Sequence, residues 1–509
     1  MVAIAAIVLA AKSEQAACVG REFIPLENWA YSAIERFEVL GLCRLPDDRP
    51  FTRSEFVDIV TKLSKRAWDR RLSPRDRYQL KRLEKEFTAF GAARDPQTRY
   101  DPPTIYLPDA PLLLTGDVDL VGSVERPAFD DRIDPFLQSN PEFQIHYADR
   151  VTLDMRYRLI WSLQRGDRVR NAKPSRREKS FKGLTSLFER GYVIAAWDKV
   201  HLYYGREYVD WGPSDENNLI TPGNALSLDQ LGGRIRLGSL RLSFFDGPLS
   251  FSPERRFAGH RLEIAFWKAS LGLNETVVYV GRGLDPVYAI PLSSFYANQF
   301  NERGDDNVMW SIDAKVAAGH GALLYASLLI DDAQFERDGL NPDKFAADVG
   351  GCFAISAPVA ATIRARYRFV DIYTLTHRDS ITAYVSGPGD PRVDVPLGAA
   401  PGPDTEQWHI EAETYPRANA IVRAFVSGLA VGAGNDFRKF LPGDPTNPPF
   451  PSGIVERTLS AGLGFRWEFD RNQWMDASWQ WRRVTNADRL RGDNESTQTF
   501  RLEARFEFL

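Results

Sequence analysis

Beyond about residue 112 the chain alternates apolar and polar side chains with a period of two, the spacing of a sheet with one greasy face. Val151, Leu153, Met155, Tyr157, Leu159 and Trp161 alternate with Thr152, Asp154, Arg156 and Arg158. Ala361, Ile363, Ala365, Tyr367 and Phe369 alternate with Thr362, Arg364, Arg366 and Arg368. The pattern continues through Leu459–Phe469, resumes after a turn at Arg471-Asn472, and closes with Phe500, Leu502, Ala504, Phe506 and Phe508. Such runs exceed the usual soluble strand of about five or six residues and match a tilted strand crossing a bilayer. A soluble sandwich would alternate too, but a closed barrel also removes the sheet edges. Roughly 400 residues, at about 20–25 per strand with its connection, predict a transmembrane antiparallel β-barrel of about 16–18 strands. The fold class is mainly β.

The mean hydropathy of −0.34 is compatible with that reading, because lipid-facing and lumen-facing residues average out in a barrel. No apolar run is long enough for a membrane-spanning helix. Among 509 residues, 64 basic against 68 acidic side chains leave a formal charge of −4, which excludes a nucleic-acid binder with a strongly basic face.

Before residue 100 the period is helical. Trp29, Ala30, Ala33, Ile34, Phe37 and Leu40 share a face, and Gly41 supplies a stop. Thr52 and Glu55 form a capping box ahead of Phe56, Ile59, Val60 and Leu63. Ser73-Pro74 with Asp76 opens a third helix carrying Leu80, Leu83, Phe87 and Phe90. Three short amphipathic helices predict a small α-helical bundle over residues 19–93. Five prolines between 94 and 111 predict an extended linker to a barrel at 112–509. Val2–Ala11, followed by small residues, reads as a secretory signal over residues 1–18, with a buried first helix as the alternative. Cys18 and Cys43 could pair in an oxidising compartment, leaving Cys352 free; Cys18 after Ala16-Ala17 also fits a lipidation site.

Chemistry-bearing motifs are scarce. There is no nucleophile elbow, zinc-protease helix, phosphate loop or dinucleotide fingerprint, so the sequence indicates neither an enzyme nor a cofactor. The acidic pairs Asp117/Asp119 and Glu411/Glu413 read more simply as lumen-lining charge than as acid–base pairs. The arginines Arg156, Arg158, Arg234, Arg236, Arg364, Arg366 and Arg368 fall on one strand face and would point into a closed barrel. They could bind an acidic polymer through planar forks, or pair with Asp154, Glu411, Glu413 and Glu468; the cost of bare charge in a narrow lumen favours pairing for most.

The most distinctive local sequence is Arg206-Glu207-Tyr208-Val209-Asp210-Trp211-Gly212-Pro213, followed by Leu219-Ile220 and Asn224-Ala225. Trp-Gly-Pro makes a rigid turn whose indole either stacks on a sugar or packs as a plug or girdle residue. Asp215, Glu216, Asn217 and Asn218 read as a solvated turn without calcium-loop spacing. Together with the layout of signal, helical bundle and long β-rich remainder, these residues resemble the Wzi family of capsule-assembly outer-membrane proteins.

That resemblance implies a non-enzymatic, lectin-like barrel in the outer membrane, its helical bundle in the periplasm. Its partners would be capsular or extracellular polysaccharide and outer-membrane lipid. It implies Arg206, Tyr208, Trp211, Asn224, Arg234 and Arg236 as polysaccharide-binding candidates. Residues 28–63, with Trp29-Ala30 and Phe51-Thr52-Arg53-Ser54-Glu55-Phe56, also resemble an S-layer-homology motif, which implies peptidoglycan as a further partner; a helical cap on the barrel is the alternative. The rival reading of the whole is a porin for anionic or sugar solutes.

Overall fold

The computed structural model describes residues 21–68, 70–87, 104–107, 112–127, 134–147, 150–162, 184–214, 218–221, 227–302, 306–332, 342–377, 379–387, 394, 396–469 and 473–508. Within them the alternating stretches form β1 (Leu112–Pro127), β2 (Asp134–Tyr147), β3 (Val151–Ser162), β4 (Leu184–Ala196), β5 (Val200–Tyr208) and β6 (Ser227–Leu237). There follow β7 (Leu240–Phe251), β8 (Glu254–Phe266), β9 (Ala269–Val280), β10 (Asn307–Gly319), β11 (Ala322–Asp332) and β12 (Lys344–Ile355). The last six are β13 (Ala361–Val370), β14 (Thr405–Arg417), β15 (Ala420–Val431), β16 (Glu456–Glu468), β17 (Trp474–Thr485) and β18 (Asn494–Phe508). Each pairs antiparallel with the next, and β18 closes on β1 from Thr499↔Pro127 to Phe508↔Val118. Among the described residues the fold is therefore a closed eighteen-stranded barrel. A short strand, Thr104–Leu107, extends the seam by pairing with the start of β1.

Alternation decides what faces lipid. Leu463, Phe465, Phe500, Leu502 and Phe506 are exposed on the outer wall, while Asp348, Arg261 and Arg368 on the inner wall are buried. A membrane barrel inverts the soluble pattern in this way, with apolar groups outside and polar groups within. The connections are asymmetric. At one end β6–β7, β8–β9, β10–β11 and β14–β15 are joined by two-residue turns. At the other end the connections 209–226, 281–306, 371–404 and 432–455 are long.

The helices are α1 (Trp29–Val39), α2 (Arg53–Ala67) and α3 (Pro74–Phe87). Asn28 caps α1 by accepting from the Ala30 amide at 2.9 Å, and Gly41 follows the helix at φ +74°, a left-handed turn that glycine adopts at little cost. Both halves of the Thr52/Glu55 capping box are present on α2. Pro74 occupies the first turn of α3, and the Ser73 hydroxyl accepts from the Asp76 amide. Ile34, Phe37, Phe51, Phe56, Val60, Leu63, Leu83 and Phe87 form the bundle's core, with Phe56 and Phe87 stacked at 4.7 Å. A fourth helix, α4 (Phe295–Glu302), lies in the connection after β9.

The bundle does not stand apart from the barrel. Arg36 joins α1 to Asp76 of α3 at 2.6 Å and donates to the carbonyls of Ala361 and Ile355, at the β12–β13 turn. Arg75 donates to Ala418 O at 2.8 Å, and Tyr78 to Phe469 O at 2.8 Å. These are carbonyls of the short-turn end, so the helices seat on and into that mouth. Residues 163–183 and 470–472, including the expected Arg471-Asn472 turn, lie outside the described residues, as do 1–20 and most of the proline-rich stretch.

Candidate functional site

Two of the long connections fold into the lumen. In the first, Asp210–Trp211 pairs antiparallel with Asp48–Arg49 of the segment joining α1 to α2, so the loop from one end meets the bundle from the other. The Gly212 amide donates to Asp47 O at 2.8 Å. Gly212 has φ +135°, and a Cβ there would lie 2.3 Å from Asn218 Oδ1, so glycine is required. Asn218, expected in a solvated turn, is buried and donates to Asp210 Oδ1 at 2.6 Å.

In the second, residues 379–387 and 396–399 of the connection 371–404 lie in the interior. The guanidinium of Arg255, on β8, is fully buried and donates to the carbonyls of Ile381 (2.5 Å), Ala383 (2.7 Å), Val385 (3.2 Å) and Gly387. One side chain thus bonds four carbonyls of the inward loop, one of which, Ala383 O, also accepts from the Val385 amide at 2.8 Å. Tyr384 donates to Ile220 O at 2.9 Å, tying the two inward loops together. Around this junction Trp211, Phe245, Phe257, Val278, Met309, Leu329, Leu375 and Tyr384 form an apolar cluster inside the barrel.

The bundle is held from the opposite wall by ion pairs. Asp48, wholly buried, lies 2.6 Å from Arg234 and 2.5 Å from Arg241; Glu55 lies 3.0 and 2.7 Å from the same arginines. Lys315 reaches Asp47 at 2.6 Å and Glu38 at 3.0 Å. Burial alone would raise the carboxyls of Asp48 and Glu55, but Arg234 and Arg241 outweigh it and hold both below the usual carboxylate range. For Glu38 burial wins over Lys315 and the carboxyl is raised. The Cys43 thiol is pushed up by burial and by Glu38, and donates to Ile34 O at 3.5 Å. A thiol so placed is inert at neutral pH. Its expected partner Cys18 lies outside the described residues.

The candidates singled out above fall into distinct places. Trp211 is 3% exposed and packs on Phe245 at 5.1 Å, so its indole is used inside the lumen and offers no open face to a sugar. Tyr208 is buried with its hydroxyl on Glu189 at 3.0 Å. Arg206 shares the outer face with Tyr204 and is forked onto Asp229 at 2.6 and 2.7 Å. Arg234 belongs to the Asp48/Glu55 latch. Arg236 is half-exposed, 3.7 Å from Asp58, and donates to Asp198 O. Asn224 lies outside the described residues.

Of the lumen arginines, Arg156 is ringed by Glu27, Asp119, Glu142 and Glu189 within 3.8 Å. Arg158 pairs with Glu189, Arg364 with Glu411 and Glu413, and Arg368 with Asp348. Pairing is thus the rule, as the cost of bare buried charge requires. Of the anticipated carboxylates, Glu411 and Glu413 take this part on the wall, whereas Glu468 turns to Arg75 and Arg82 of the bundle.

Between α1, Pro213 of the Trp-Gly-Pro turn and the wall of β10–β14 lies a small cleft of about 70 Å³. Arg364 and Arg366 line it with Arg36, Arg49 and Lys315, against Glu35, Glu38 and Glu411, so cations outnumber carboxylates five to three; Tyr325 and His409 complete its polar lining. Sequence reasoning anticipated Arg364 and Arg366 here. It missed Arg36, Arg49, Lys315 and the Arg255 clamp, because nothing local sets these basic residues apart and the groups they hold are brought to them only by the fold.

A closed barrel with lipid-facing apolar walls, short turns at one end, long loops at the other and a lumen filled from both sides defines a plugged barrel of the outer-membrane type. No family model and no curated protein sequence matches the chain. Among solved structures it is similar to Wzi of Escherichia coli, an outer-membrane protein involved in group 1 capsule assembly and a carbohydrate-binding β-barrel. The match has 13% identity and a TM-score of 0.63, covering 96% of this chain and 100% of that one. OccD3 (OpdP) of Pseudomonas aeruginosa matches with 10% identity and a TM-score of 0.46 over 78% of this chain and 91% of that one. The fold is Wzi-like, which agrees with the resemblance read from the residues.

Proposed function

We propose that this protein binds capsular or extracellular polysaccharide at the cell surface and helps to attach or assemble it, without catalysing a reaction, as a member of the Wzi family. In this reading the short-turn end and its helical plug face the periplasm, where the bundle can also touch peptidoglycan, and the long loops face outward.

The observation that carries it is the filled lumen. A porin for anionic or sugar solutes needs a continuous aqueous path, whereas here the Asp48–Arg49/Asp210–Trp211 pairing and the Arg255-clamped loop cross the interior. Polymer contact then falls to the outer loops, where many weak contacts would act together. Trp211, Tyr208 and Arg234 serve binding indirectly, by holding the loops in register on the plug.

The test is a deletion strain. Cells lacking the protein are expected to make polymer and shed it into the medium, with retention restored by the intact gene. Unchanged surface retention would refute the reading, and single-channel conductance of porin size in planar bilayers would favour the porin instead.

A further inference from the structure

The connection after β9 folds down over the outside of the barrel. Asn274 and Thr276 point into the lumen, where they meet Asp313 and Tyr384, so Glu275 between them points outward. By the same alternation His260 and Trp310 point outward, beside the inward Arg261 and Ser311. Register sets Glu275 level with Trp310 and Ile330, next to the exposed Leu271, Leu273 and Ile312 of the lipid-facing belt. A carboxylate and an imidazole at that height would face hydrocarbon uncovered.

The strap covers them. Phe295, fully buried, meets the His260 ring edge-on at 4.5 Å, and Tyr288 packs on Tyr279 at 4.9 Å. Glu275 accepts from the Tyr296 amide at 2.8 Å and from the Trp310 indole at 2.7 Å, with His260 at 3.3 Å. The Tyr288 hydroxyl, bonded to Asp306 at 2.6 Å, pins the other side. The strap's inner face is thus used up by the barrel. Its outer face presents Leu284 (50% exposed), Ile290 (53%), Leu292 (72%) and Tyr296 (48%), continuous with the belt below it.

We infer that residues 284–296 form a membrane-seated collar whose occupant is the outer leaflet of the bilayer. Aliphatic side chains would enter the acyl–headgroup boundary and Tyr296 would lie at the interface, as tyrosines do at membrane–water boundaries. The partner is lipid rather than protein because the patch continues a surface that lipid already covers. The collar fixes the depth of this sector of the barrel while shielding the buried Glu275–His260 pair.

The test uses the full chain with Cys18, Cys43 and Cys352 replaced by serine and a nitroxide carried on Leu292→Cys. It is folded into phosphatidylcholine vesicles containing a minority of phosphatidylglycerol. The ratio of oxygen to water-soluble nickel-chelate collisions is expected to lie well above that of a label on Gly443→Cys in an outer loop and below that of one on Leu273→Cys within the belt. Ile290→Cys provides a second reading should Leu292→Cys fold poorly, as judged by heat-modifiable gel mobility. Nickel access equal to that at Gly443→Cys would overturn the proposal. So would dipolar broadening that grows with protein density, which would make the occupant a second copy of the chain.

Discussion

Replacing Asp48 by alanine should loosen the helical plug without unfolding the barrel. In the native arrangement Asp48 and Glu55 together neutralise Arg234 and Arg241, and all four side chains are at least nine-tenths buried. Asp48→Ala leaves two buried guanidiniums with one carboxylate. Removing one partner from a buried charge pair costs about 3–5 kcal/mol, because the remaining charge stays desolvated and uncompensated. At about 1.4 kcal/mol per factor of ten, the equilibrium between seated and displaced plug shifts by roughly 10²-fold to a few thousand-fold. The wall strands keep their ladder, so heat-modifiable mobility should be unchanged.

Two measurements read this. Amide exchange in α2 should accelerate towards that factor, and planar bilayers should show intermittent openings absent from the native protein. Asp48→Ala/Arg241→Ala should be less disturbed than Asp48→Ala, since deleting the surplus cation removes the uncompensated charge. If Asp48→Ala exchanges and conducts like the native protein, the plug is held by apolar packing and the latch reasoning fails. If the double variant is the more disturbed of the two, the charge argument fails in the same way.

Three further outcomes follow from the geometry. Arg255→Ala removes the guanidinium from four carbonyls, of which Ala383 O keeps the Val385 amide, at a cost on the order of 3 kcal/mol to the loop; protease cleavage within 379–387 should appear while the barrel stays resistant, and continued resistance there would show the clamp to be dispensable. Burial raises the Asp436 carboxyl to about 7. A raised folded value means its contribution is full below about pH 4 and lost as pH rises through 7, so the protection of loop 432–455 against amide exchange, with the intrinsic base-catalysed rate divided out, should fall from pH 6 to 8 in the native protein and stay level in Asp436→Asn. Asp48 and Glu55 are held below their usual values, so their contribution is present above about pH 4 and lost only as pH falls through the lowered values. The plug should therefore stay seated at pH 5 and loosen in stronger acid, and release at pH 5, seen by exchange in α2, would contradict the assignment.

What could be read along the chain was whatever a local period records. The strands at Val151–Ser162, Ala361–Val370 and Asn494–Phe508 follow from alternation, because successive side chains in a strand must face opposite sides. The starts of α2 and α3 follow from the Thr52/Glu55 box and from Pro74, because caps satisfy their own orphan amides. What could not be read was anything that closes through space. Asp48 meets Arg234 and Arg241 across nearly two hundred residues, and nothing local marks it as different from Asp47. Arg255 and Arg256 are adjacent and identical in type, yet one clamps a loop inside the lumen while the other lies on the outer wall beside Asp246. The Trp-Gly-Pro turn was legible as a rigid element. Its direction depended on Asn218 and on the Asp48–Arg49 strand, neither of which the motif contains.

The same logic explains why so many inward arginines do not make a selectivity filter. An arginine that selects anions must keep a coordination site open to water, and an open guanidinium in a lumen this crowded would be costly unless solvent reached it. Arg156, Arg158, Arg234 and Arg368 instead each meet a carboxylate, and for Arg234 that carboxylate belongs to the helical plug rather than to the wall. A charge pair that bridges plug and wall fixes position and orientation at once, since guanidinium and carboxylate match in only a few geometries. Apolar packing alone would let three short helices slide within a cylinder whose inner wall is polar. The buried charges thus act as keys for one seating of the plug.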